Sequence, residues 1–180
     1  MEATECLMSR RSCRSFSPEM PPRKVIERVC EIGTYAPTGH GKQSPLIVAV
    51  TNRELRDRLS RMNAEVWHSL SPRRPAEGFD PFYGAPVVLL VLADPEITTH
   101  LEDGCSVITT LLNAAQACGL ASCWVHRARQ EFESPEGKEI LRQLGIDERY
   151  VGIDHVALGF PAGPMPRTLP RKPDYVRWAE

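Results

Sequence analysis

The stretch from residue 10 to residue 16, R-R-S-C-R-S-F, places three arginines and two serines within seven residues. Guanidinium groups present planar pairs of donors that match phosphate oxygens, and a charge-assisted hydrogen bond contributes roughly 1.5–3 kcal/mol. The stretch is therefore a candidate phosphate-binding site. A solvated basic turn has the same composition, because basic clusters often coat protein surfaces, so residues elsewhere in the chain must decide between the two interpretations.

Cysteine and histidine suggest a metal site at one place, the C-x4-C-x2-H spacing of Cys118, Cys123 and His126. That spacing lacks the second pair of ligands that structural zinc sites use, so we predict no metal. The six cysteines could form three disulfides, but a chain of 180 residues can bury a stable core without them, and the first ten residues contain no apolar signal segment. We therefore expect free thiols.

Length and composition are those of one ordinary globular domain, and we predict a single domain over residues 1–180. The formal net charge of −1 argues against a nucleic-acid binder that relies on a strong overall basic field. No apolar run approaches the ~20 residues that cross a bilayer. These features predict a cytoplasmic protein whose partners are neither nucleic acids nor membranes.

The pattern of apolar and polar residues predicts the elements that must position the basic stretch. Helical periodicity predicts helices over residues 2–10, 23–35, 53–69, 99–118 and 132–144. Short apolar runs rich in β-branched residues predict strands over residues 46–50, 86–93, 122–125 and 150–160. Helices with about four strands among them indicate a mixed α+β sandwich.

Two segments are predicted to contain neither helix nor strand. Residues 71–84 form the longest loop, for which a substrate lid and disorder are equal alternatives. Residues 162–180 form a Pro-rich C-terminal arm, whose order must come from packing on another surface. The sequence also lacks the G-x-G-x-x-G and G-x4-G-K-[ST] motifs. Any phosphate must therefore be bound by side chains.

Four separated stretches together resemble the FMN-dependent nitroreductase family. They are R-R-S-C-R-S-F (10–16), A-P-T-G-H-G-K-Q (36–43), G-L-A-S-C-W-V-H-R (119–127), and V-A-L-G-F-P with P-R-K-P (156–161 and 170–173). Each is weak alone, but the four occur in the family's order and cover nearly the whole chain. The second stretch departs from the family pattern at Gly41, where Asn is common, and at Ser44-Pro45, where Pro-Trp commonly follows the glutamine.

The resemblance implies a three-layer α-β-α sandwich around a mixed or antiparallel sheet, with the C-terminal arm contributed to a partner subunit. It implies a homodimer with FMN at the subunit interface. It further implies a ping-pong reaction, in which NADH or NADPH delivers a hydride to flavin N5 and a nitroaromatic, quinone, flavin or enone then takes it. No catalytic side chain is implied, because the flavin carries the chemistry.

The resemblance also assigns roles to residues. Arg10, with Arg171 or Lys172, would bind the FMN phosphate. Arg14 would meet the pyrimidine edge of the ring, residues 124–126 would line the ring near N5, and residues 37–39 would reach over from the partner subunit. The implied cofactor-binding residues are Arg10, Arg11, Ser12, Arg14, Pro37, Thr38, Gly39, Gln43, Trp124, Val125, His126, Arg171 and Lys172.

Other interpretations stay open for the same residues. Trp124 could be a core residue of its strand, His126 could cap that strand, and Arg11 could contribute only its backbone or a salt bridge. At the level of function, the alternatives are a flavin-storing or flavin-sensing protein without turnover, a reductive dehalogenase-like flavoenzyme, and a structural domain with a basic surface.

Overall fold

A four-stranded antiparallel sheet with helices on both faces carries the fold. The structure is a computed structural model that describes residues 2–70, 76 and 78–180. Within these residues the helices are α1 (Ala3–Ser9), α2 (Arg23–Gly33), α3 (Arg53–Leu70), α4 (His100–Ala117), α5 (Ala128–Glu133) and α6 (Pro135–Gln143). The strands are β1 (Pro45–Val50), β2 (Val87–Ala93), β3 (Ala121–Val125) and β4 (Val151–Gly159), and a short 3₁₀ turn, Gly39–Gly41, precedes β1.

The strand order β1-β2-β4-β3 places β2 and β4 at the centre of the sheet and leaves β1 and β3 as its edges. All seven residues of β2 are buried, as expected for the continuous apolar run V-V-L-L-V-L-A. Helices α2 and α4 pack on one face through residues such as Val29 and Leu111. Helices α3, α5 and α6 pack on the other through Leu59, Phe132 and Leu141. The predicted α+β class and three-layer arrangement are confirmed, and the strand pairs of the sheet are antiparallel.

The helix predicted over residues 132–144 is present as α6, but a short helix that was not predicted, α5, comes directly before it. Ser134 separates them in an extended conformation, and its hydroxyl accepts a hydrogen bond from the N–H of Gly137 at 3.1 Å, which caps α6. A Cβ on Gly137 would lie 2.2 Å from the carbonyl oxygen of Glu131, so glycine permits the close approach of the two helices. The pattern missed α5 because its first residues, A-R-Q-E, show no repeat of large apolar side chains.

Asp80 organises the described part of the loop predicted over residues 71–84. Its carboxylate accepts a hydrogen bond from the hydroxyl of Ser60 at 2.7 Å and pairs with the guanidinium of Arg56. Burial alone would raise the pKa of Asp80, but the Arg56 and Ser60 hydrogen bonds help to outweigh burial, and the pKa is lowered. The interpretation of this loop as a lid or as disorder falls largely on residues 71–75 and 77, which lie outside the described residues.

The C-terminal arm, residues 162–180, continues from β4 without a helix or a strand, as predicted. Large apolar side chains along it face solvent, with Leu169 75%, Tyr175 76% and Trp178 85% exposed. A segment with this exposure in a single chain has apolar surface available for packing on another molecule.

The six cysteines are present as free thiols. The described residues contain no group of three or more His, Cys, Asp or Glu side chains arranged to hold a metal ion. In the same part of the chain, every helix is too short or too polar to cross a bilayer.

Candidate functional site

The basic stretch lies along the edge strand β3. Ser12 pairs with Ser122 in a short parallel bridge, and the N–H of Cys13 donates to the carbonyl oxygen of Ser122 at 2.9 Å. At the far end of the stretch, Phe16 is buried and pairs with Pro161, just beyond β4. The stretch is thus held against the sheet at both ends, which fixes the backbone of the residues between them.

Three polar side chains of the stretch lie near Cys123 on β3. Burial raises the pKa of the Cys123 thiol on this strand. The guanidinium groups of Arg14 and Arg10 and the hydroxyl of Ser12 lie near enough to the sulfur to oppose that increase. Arg14 is exposed, whereas Arg10 and Ser12 are partly buried. The structure therefore brings together three of the residues predicted to bind a cofactor.

Arg10 carries a hydrogen-bond donor that nothing in the described part of the chain accepts. Its Nη1 is buried and has no hydrogen-bond partner among those residues. Buried polar atoms are nearly always paired, and a buried charge without a partner is strongly destabilising. The nitrogen therefore fits an anion that completes its hydrogen bonding, such as a phosphate.

Arg11, in contrast, is occupied within the chain. Its Nη1 donates to the carbonyl oxygens of Met8 at 2.7 Å and Arg10 at 2.6 Å, at the C-terminal end of α1. Its Nη2 donates to the hydroxyl of Thr168 in the C-terminal arm. The Arg11 side chain thus joins the basic stretch to the arm, a short distance along the chain from Arg171.

The end of β3 presents three side chains in different environments. Val125 is 4% exposed and belongs to the core. Trp124 is partly buried and packs against the apolar cluster beneath α2 and α4. The side chain of His126, just past the strand, is 71% exposed. Trp124 therefore has the core contacts that the alternative interpretation expected, while His126 faces solvent.

Asp154 on β4 ties the two aromatic rings together. Its Oδ2 accepts a hydrogen bond from Nε1 of Trp124 at 2.6 Å and lies 2.7 Å from Nδ1 of His126. The centroids of the indole and imidazole rings are 5.7 Å apart. Asp154 itself is 8% exposed. One nearly buried carboxylate thus fixes two side chains at the solvent end of β3.

A buried amide holds the turn that follows β3. Nδ2 of Asn63, on α3, donates to the carbonyl oxygen of His126 at 2.8 Å, and Oδ1 of Asn63 accepts from Nε of Arg127 at 3.0 Å. Arg127 has a left-handed backbone (φ 92°), and its guanidinium carbon lies 4.5 Å from the centroid of the Trp67 ring. Burial lowers the pKa of Arg127. These contacts position the backbone that carries the His126 ring.

A buried acid–base pair lies behind that amide. One carboxylate oxygen of Glu131 accepts a hydrogen bond from Asn63, and the other lies 2.9 Å from Nε2 of His155. The side chains of Glu131 and His155 are fully buried. Nδ1 of His155 has no hydrogen-bond partner in the described part of the chain. The pair joins α5 to β4 and, through Asn63, supports the turn at residue 126.

Four of the predicted cofactor-binding residues lie in the loop before β1: Pro37, Thr38, Gly39 and Gln43. The hydroxyl of Thr38 accepts a hydrogen bond from the N–H of Gln43 at 3.1 Å. The N–H of Gly39 donates to Oδ1 of Asp103 at 2.8 Å. Pro37 and Gln43 are exposed. The loop is thus closed on itself and anchored at its centre, with its flanks facing solvent.

Asp103 provides that anchor from α4. Besides the Gly39 N–H, its carboxylate accepts hydrogen bonds from the hydroxyls of Ser44 at 2.7 Å and Thr99 at 3.1 Å. Burial alone would raise the pKa of Asp103, but these three hydrogen bonds help to outweigh burial, and the pKa is lowered. A Cβ on Gly39 would lie 2.2 Å from Oγ1 of Thr99, so the loop and the start of α4 are in close contact.

The loop and the basic stretch lie at opposite edges of the sheet. Strands β2 and β4 separate β1 from β3, which corresponds to three strand spacings, or about 14 Å. One chain therefore does not bring residues 37–43 to the basic stretch. Arg171 and Lys172 are exposed in the arm, and Nζ of Lys172 lies 5.8 Å from the centroid of the Tyr175 ring. That Arg171 or Lys172 binds the same phosphate as Arg10 remains a prediction.

The chain matches the sequence profile described as "Nitroreductase family" over residues 7–160. The chain belongs to the nitroreductase family. A relative from Archaeoglobus fulgidus is 27% identical over 166 residues, which cover 89% of this chain and 86% of the relative. The name of that relative assigns it, provisionally, as an NADH dehydrogenase or NAD(P)H nitroreductase.

Two solved structures share the fold over their whole length. A nitroreductase with bound FMN from Bacteroides fragilis NCTC 9343 is 26% identical, with a TM-score of 0.90 and coverage of 100% of both chains. A nitroreductase with bound FMN from Desulfitobacterium hafniense DCB-2 is also 26% identical, with a TM-score of 0.87 and coverage of 100% of both chains. Both matches therefore include every helix and strand of this nitroreductase-family chain.

In this nitroreductase-family chain, the polar residues behind β3 were missed by the sequence analysis. Asn63 and Glu131 lie on buried faces of α3 and α5. Asp154 and His155 interrupt the apolar run of β4. Buried polar side chains are almost always paired, so two adjacent polar residues inside a buried strand were a visible signal of such partners. Which groups these residues meet cannot be read from the sequence.

Proposed function

We propose that this chain is an FMN-dependent oxidoreductase that moves a hydride from NADH or NADPH to a small organic acceptor by a ping-pong reaction. The observation that carries the proposal is the buried Nη1 of Arg10, which has no hydrogen-bond partner among the described residues and belongs to the same stretch as Ser12 and Arg14. A group of cationic and hydroxyl donors, one of which is a buried nitrogen that lacks a partner among the described residues, is better explained by a bound phosphate than by a solvated surface. The FMN bound by the Bacteroides and Desulfitobacterium proteins supports the same assignment.

The proposed contacts follow from the position of each side chain. Arg10 and Ser12 would hold the phosphate and the ribityl chain, and Arg171 or Lys172 would approach the phosphate from the arm. Arg14 would lie at the pyrimidine edge of the ring. Arg11 would contribute mainly by fastening the arm, because its guanidinium already bonds to main-chain carbonyls and to the arm.

Bound FMN would supply the redox chemistry, since flavin N5 accepts and returns a hydride. The chain would supply the surroundings of that atom. Residues 124–126 would line the ring near N5, and Asp154 and Asn63 would hold this segment in one conformation through the bonds to its rings and backbone. A site supported in this way binds without having to order its own backbone, which preserves affinity.

We also propose a homodimer, with the loop of residues 37–43 completing the site of the partner subunit. Within one chain this loop leads into β1, which lies three strand spacings, or about 14 Å, from β3, and a second copy could bring the loop to the β3 edge. The exposed apolar side chains of the arm, residues 162–180, would pack on the same partner. Light scattering should then give twice the 20.2 kDa mass of one chain, and a monomer mass would contradict the arrangement.

Colour and bleaching test the cofactor and the reaction separately. Purified protein should be yellow with noncovalent FMN, and FMN at a hundredfold its dissociation constant should stabilise the protein by about 2.7 kcal/mol. NADH or NADPH added without oxygen should bleach the flavin absorbance, and an organic acceptor should restore it. Colourless protein that FMN does not stabilise would contradict the cofactor assignment, and the remaining interpretation would be a structural domain with a basic surface.

The same experiment separates the remaining alternatives. Flavin that binds but is never bleached by NADH or NADPH would identify a flavin-storing or flavin-sensing protein. Comparison of nitroaromatic, quinone, enone and halogenated acceptors on the reduced protein would then distinguish a reductase of the proposed kind from a reductive dehalogenase. A cytoplasmic location remains part of the proposal.

A further inference from the structure

The imidazole of His126 is held at one nitrogen and open at the other. Nδ1 lies 2.7 Å from Oδ2 of Asp154, while the side chain as a whole is 71% exposed. Among the described residues, Nε2 of His126 has no hydrogen-bond partner. The ring therefore presents one nitrogen to solvent, or to a small molecule above β3, in a fixed direction.

Asp154 decides which nitrogen of the ring keeps its proton. A carboxylate accepts hydrogen bonds, so Nδ1 of His126 must be the N–H donor of this contact. Nε2 is then the nitrogen that gains or loses a proton when the ring changes charge. The indole N–H of Trp124 donates to the same Oδ2 at 2.6 Å, which holds the carboxylate in place during that change.

The backbone under the ring is held independently of Asp154. The carbonyl oxygen of His126 accepts a hydrogen bond from Asn63, and Asn63 in turn accepts one from Arg127. Ring and backbone are thus fixed from two sides, by β4 and by α3. An exposed histidine whose only function is solvation needs neither set of contacts.

We propose that His126 donates a proton to the electron acceptor and that Asp154 is the residue that positions it. This inference rests on the proposed function, in which residues 124–126 line the flavin ring near N5. Of these residues only His126 carries a titratable group. Delivery of a hydride to a quinone or enone leaves an anion, so a proton must also arrive, and a positioned histidine commonly supplies it.

The step balances in atoms and electrons. A quinone receives two electrons and one proton as the hydride that originates in NADH or NADPH, and one further proton from His126. The Nε2–H bond of the imidazolium breaks with its electron pair left on the ring, and an O–H bond forms on the quinone. The product is a hydroquinone. The neutral ring keeps the proton on Nδ1, which stays hydrogen-bonded to Asp154, and one proton taken up from solution restores the Nε2–H bond.

The tautomer of His126 tests the positioning without any turnover. Proton–nitrogen NMR correlation spectra of the FMN-loaded protein should show neutral His126 protonated at Nδ1. In Asp154→Asn the ring should shift towards protonation at Nε2, the form that predominates in free histidine. Trp124→Phe should keep the Nδ1-protonated form, because it removes the indole and leaves the carboxylate.

Two electron acceptors test the proton transfer. Protein reduced with NADH is mixed with a naphthoquinone, which needs a proton, or with ferricyanide, which takes electrons alone. His126→Gln should lower the ratio of the quinone rate to the ferricyanide rate by about a hundredfold, the lower end of what general acid–base catalysis contributes. Asp154→Asn should lower the same ratio by about tenfold, the lower end of the loss that follows removal of a carboxylate behind a metal-binding histidine.

His68→Gln is the matched control, because this histidine is exposed on α3 and belongs to no part of the proposed site. It should leave the ratio unchanged. Equal losses with both acceptors in His126→Gln, or no loss with either, would overturn the proton-donor role while leaving the proposed oxidoreductase intact. Neutral His126 protonated at Nε2 in the unmodified protein would overturn the role of Asp154. If the unmodified protein reduces neither acceptor, the proposed function itself fails and the proton-donor role fails with it.

Discussion

At the β3 edge of the sheet, buried polar side chains hold the candidate site from behind, whereas at the β1 edge the loop of residues 37–43 rests on a single buried carboxylate. Behind β3, the side chains of Asp154, Asn63 and Glu131 connect the turn at residue 126 to α3, α5 and β4. Before β1, Asp103 binds the centre of the loop, and the flanks of the loop are exposed.

This difference indicates which half of the site one chain can complete. A backbone fixed by several buried hydrogen bonds keeps its shape without a ligand, while an exposed loop with one anchor can still adapt to another surface. We therefore expect the β3 half to be preorganised in each chain and the β1 half to reach its final form against the proposed partner. Variants that disturb one edge at a time test this comparison.

The largest effect is expected at the β3 edge, from Glu131→Ala. Removal of this carboxylate leaves His155 and Asn63 in the core without their shared partner. Loss of one member of a buried pair typically costs about 3–5 kcal/mol. Urea denaturation of the FMN-free protein measures the loss, and amide hydrogen exchange should show faster opening around residue 126.

Glu133→Ala is the control for that variant, because this carboxylate lies on the same helix but is 55% exposed in its pair with Arg129. Loss of an exposed ion pair should change stability by at most about 1 kcal/mol. If Glu131→Ala were no worse than Glu133→Ala, the buried pair would not support the β3 edge and the comparison of the two edges would fail.

At the β1 edge, Asp103→Ala is expected to cost about 2–4 kcal/mol, because the Gly39 N–H and two hydroxyls lose their acceptor. The pKa of Asp103 is lower in the folded chain. Its contribution is therefore complete above the ordinary aspartate pKa of about 3.9 and is lost as the pH falls from there through the folded-state pKa.

Urea denaturation of wild type and Asp103→Ala at neutral and at acidic pH measures both effects. The difference in stability between the two proteins should be largest at neutral pH and should shrink in acid. Glu102→Ala, an exposed carboxylate in the same turn of α4, should cost at most about 1 kcal/mol. If the difference in stability between wild type and Asp103→Ala did not change with pH, the carboxylate of Asp103 would not be the group that anchors the loop.

The parts of the fold that were predictable are those in which burial repeats along the chain. The continuous apolar run of β2 and the repeating apolar face of α4 each indicate directly which residues are buried. The limits of both elements were therefore predicted to within a few residues. The basic stretch likewise stood out as a candidate cofactor site because of its composition and its resemblance to a family. All these signals are local.

The contacts that hold the site were not predictable because they join residues far apart in the chain. The register of β3 against β4 pairs Val125 with His155, which brings Asp154 beside Trp124 and His126. Periodicity predicts that a residue is buried but not which residue it meets. Arg11 illustrates the same limit, because its type fits a phosphate while its position directs it to main-chain carbonyls and the arm.

Arg10→Ala tests whether the β3 half holds the cofactor phosphate. It should weaken FMN binding by roughly 1.5–3 kcal/mol, or from about tenfold to about 150-fold in dissociation constant. Flavin fluorescence titration of the apoprotein measures the change. Arg23→Ala, whose side chain is 89% exposed on α2, should leave the dissociation constant unchanged. Equal affinities for Arg10→Ala and wild type would remove the phosphate from the place assigned to it.

The smallest effect concerns Arg14, which we assign to the flavin ring and not to the phosphate. Arg14 lies two residues past Ser12. Arg10 lies two residues before Ser12, and its buried Nη1 has no partner in the part of the chain that the structure describes. A cation beside the ring stabilises the reduced, more negative flavin more than the oxidised one. Arg14→Ala should therefore lower the reduction potential of bound flavin, while Arg10→Ala should change it little.

The exposure of Arg14 sets the size of that shift. A charge some 4 Å from the ring is worth about 4 kcal/mol at an effective dielectric of about 20 but only about 1 kcal/mol in water. Since 1.4 kcal/mol corresponds to about 30 mV for a two-electron couple, a solvent-screened Arg14 should raise the potential by about 20–40 mV. Spectroelectrochemical titration of both variants, reconstituted with excess FMN, resolves a shift of this size. If Arg14→Ala instead weakened FMN binding and left the reduction potential of the flavin unchanged, Arg14 would bind the phosphate together with Arg10. In that case residues 124–126 would be the part of the β3 edge that contacts the flavin ring.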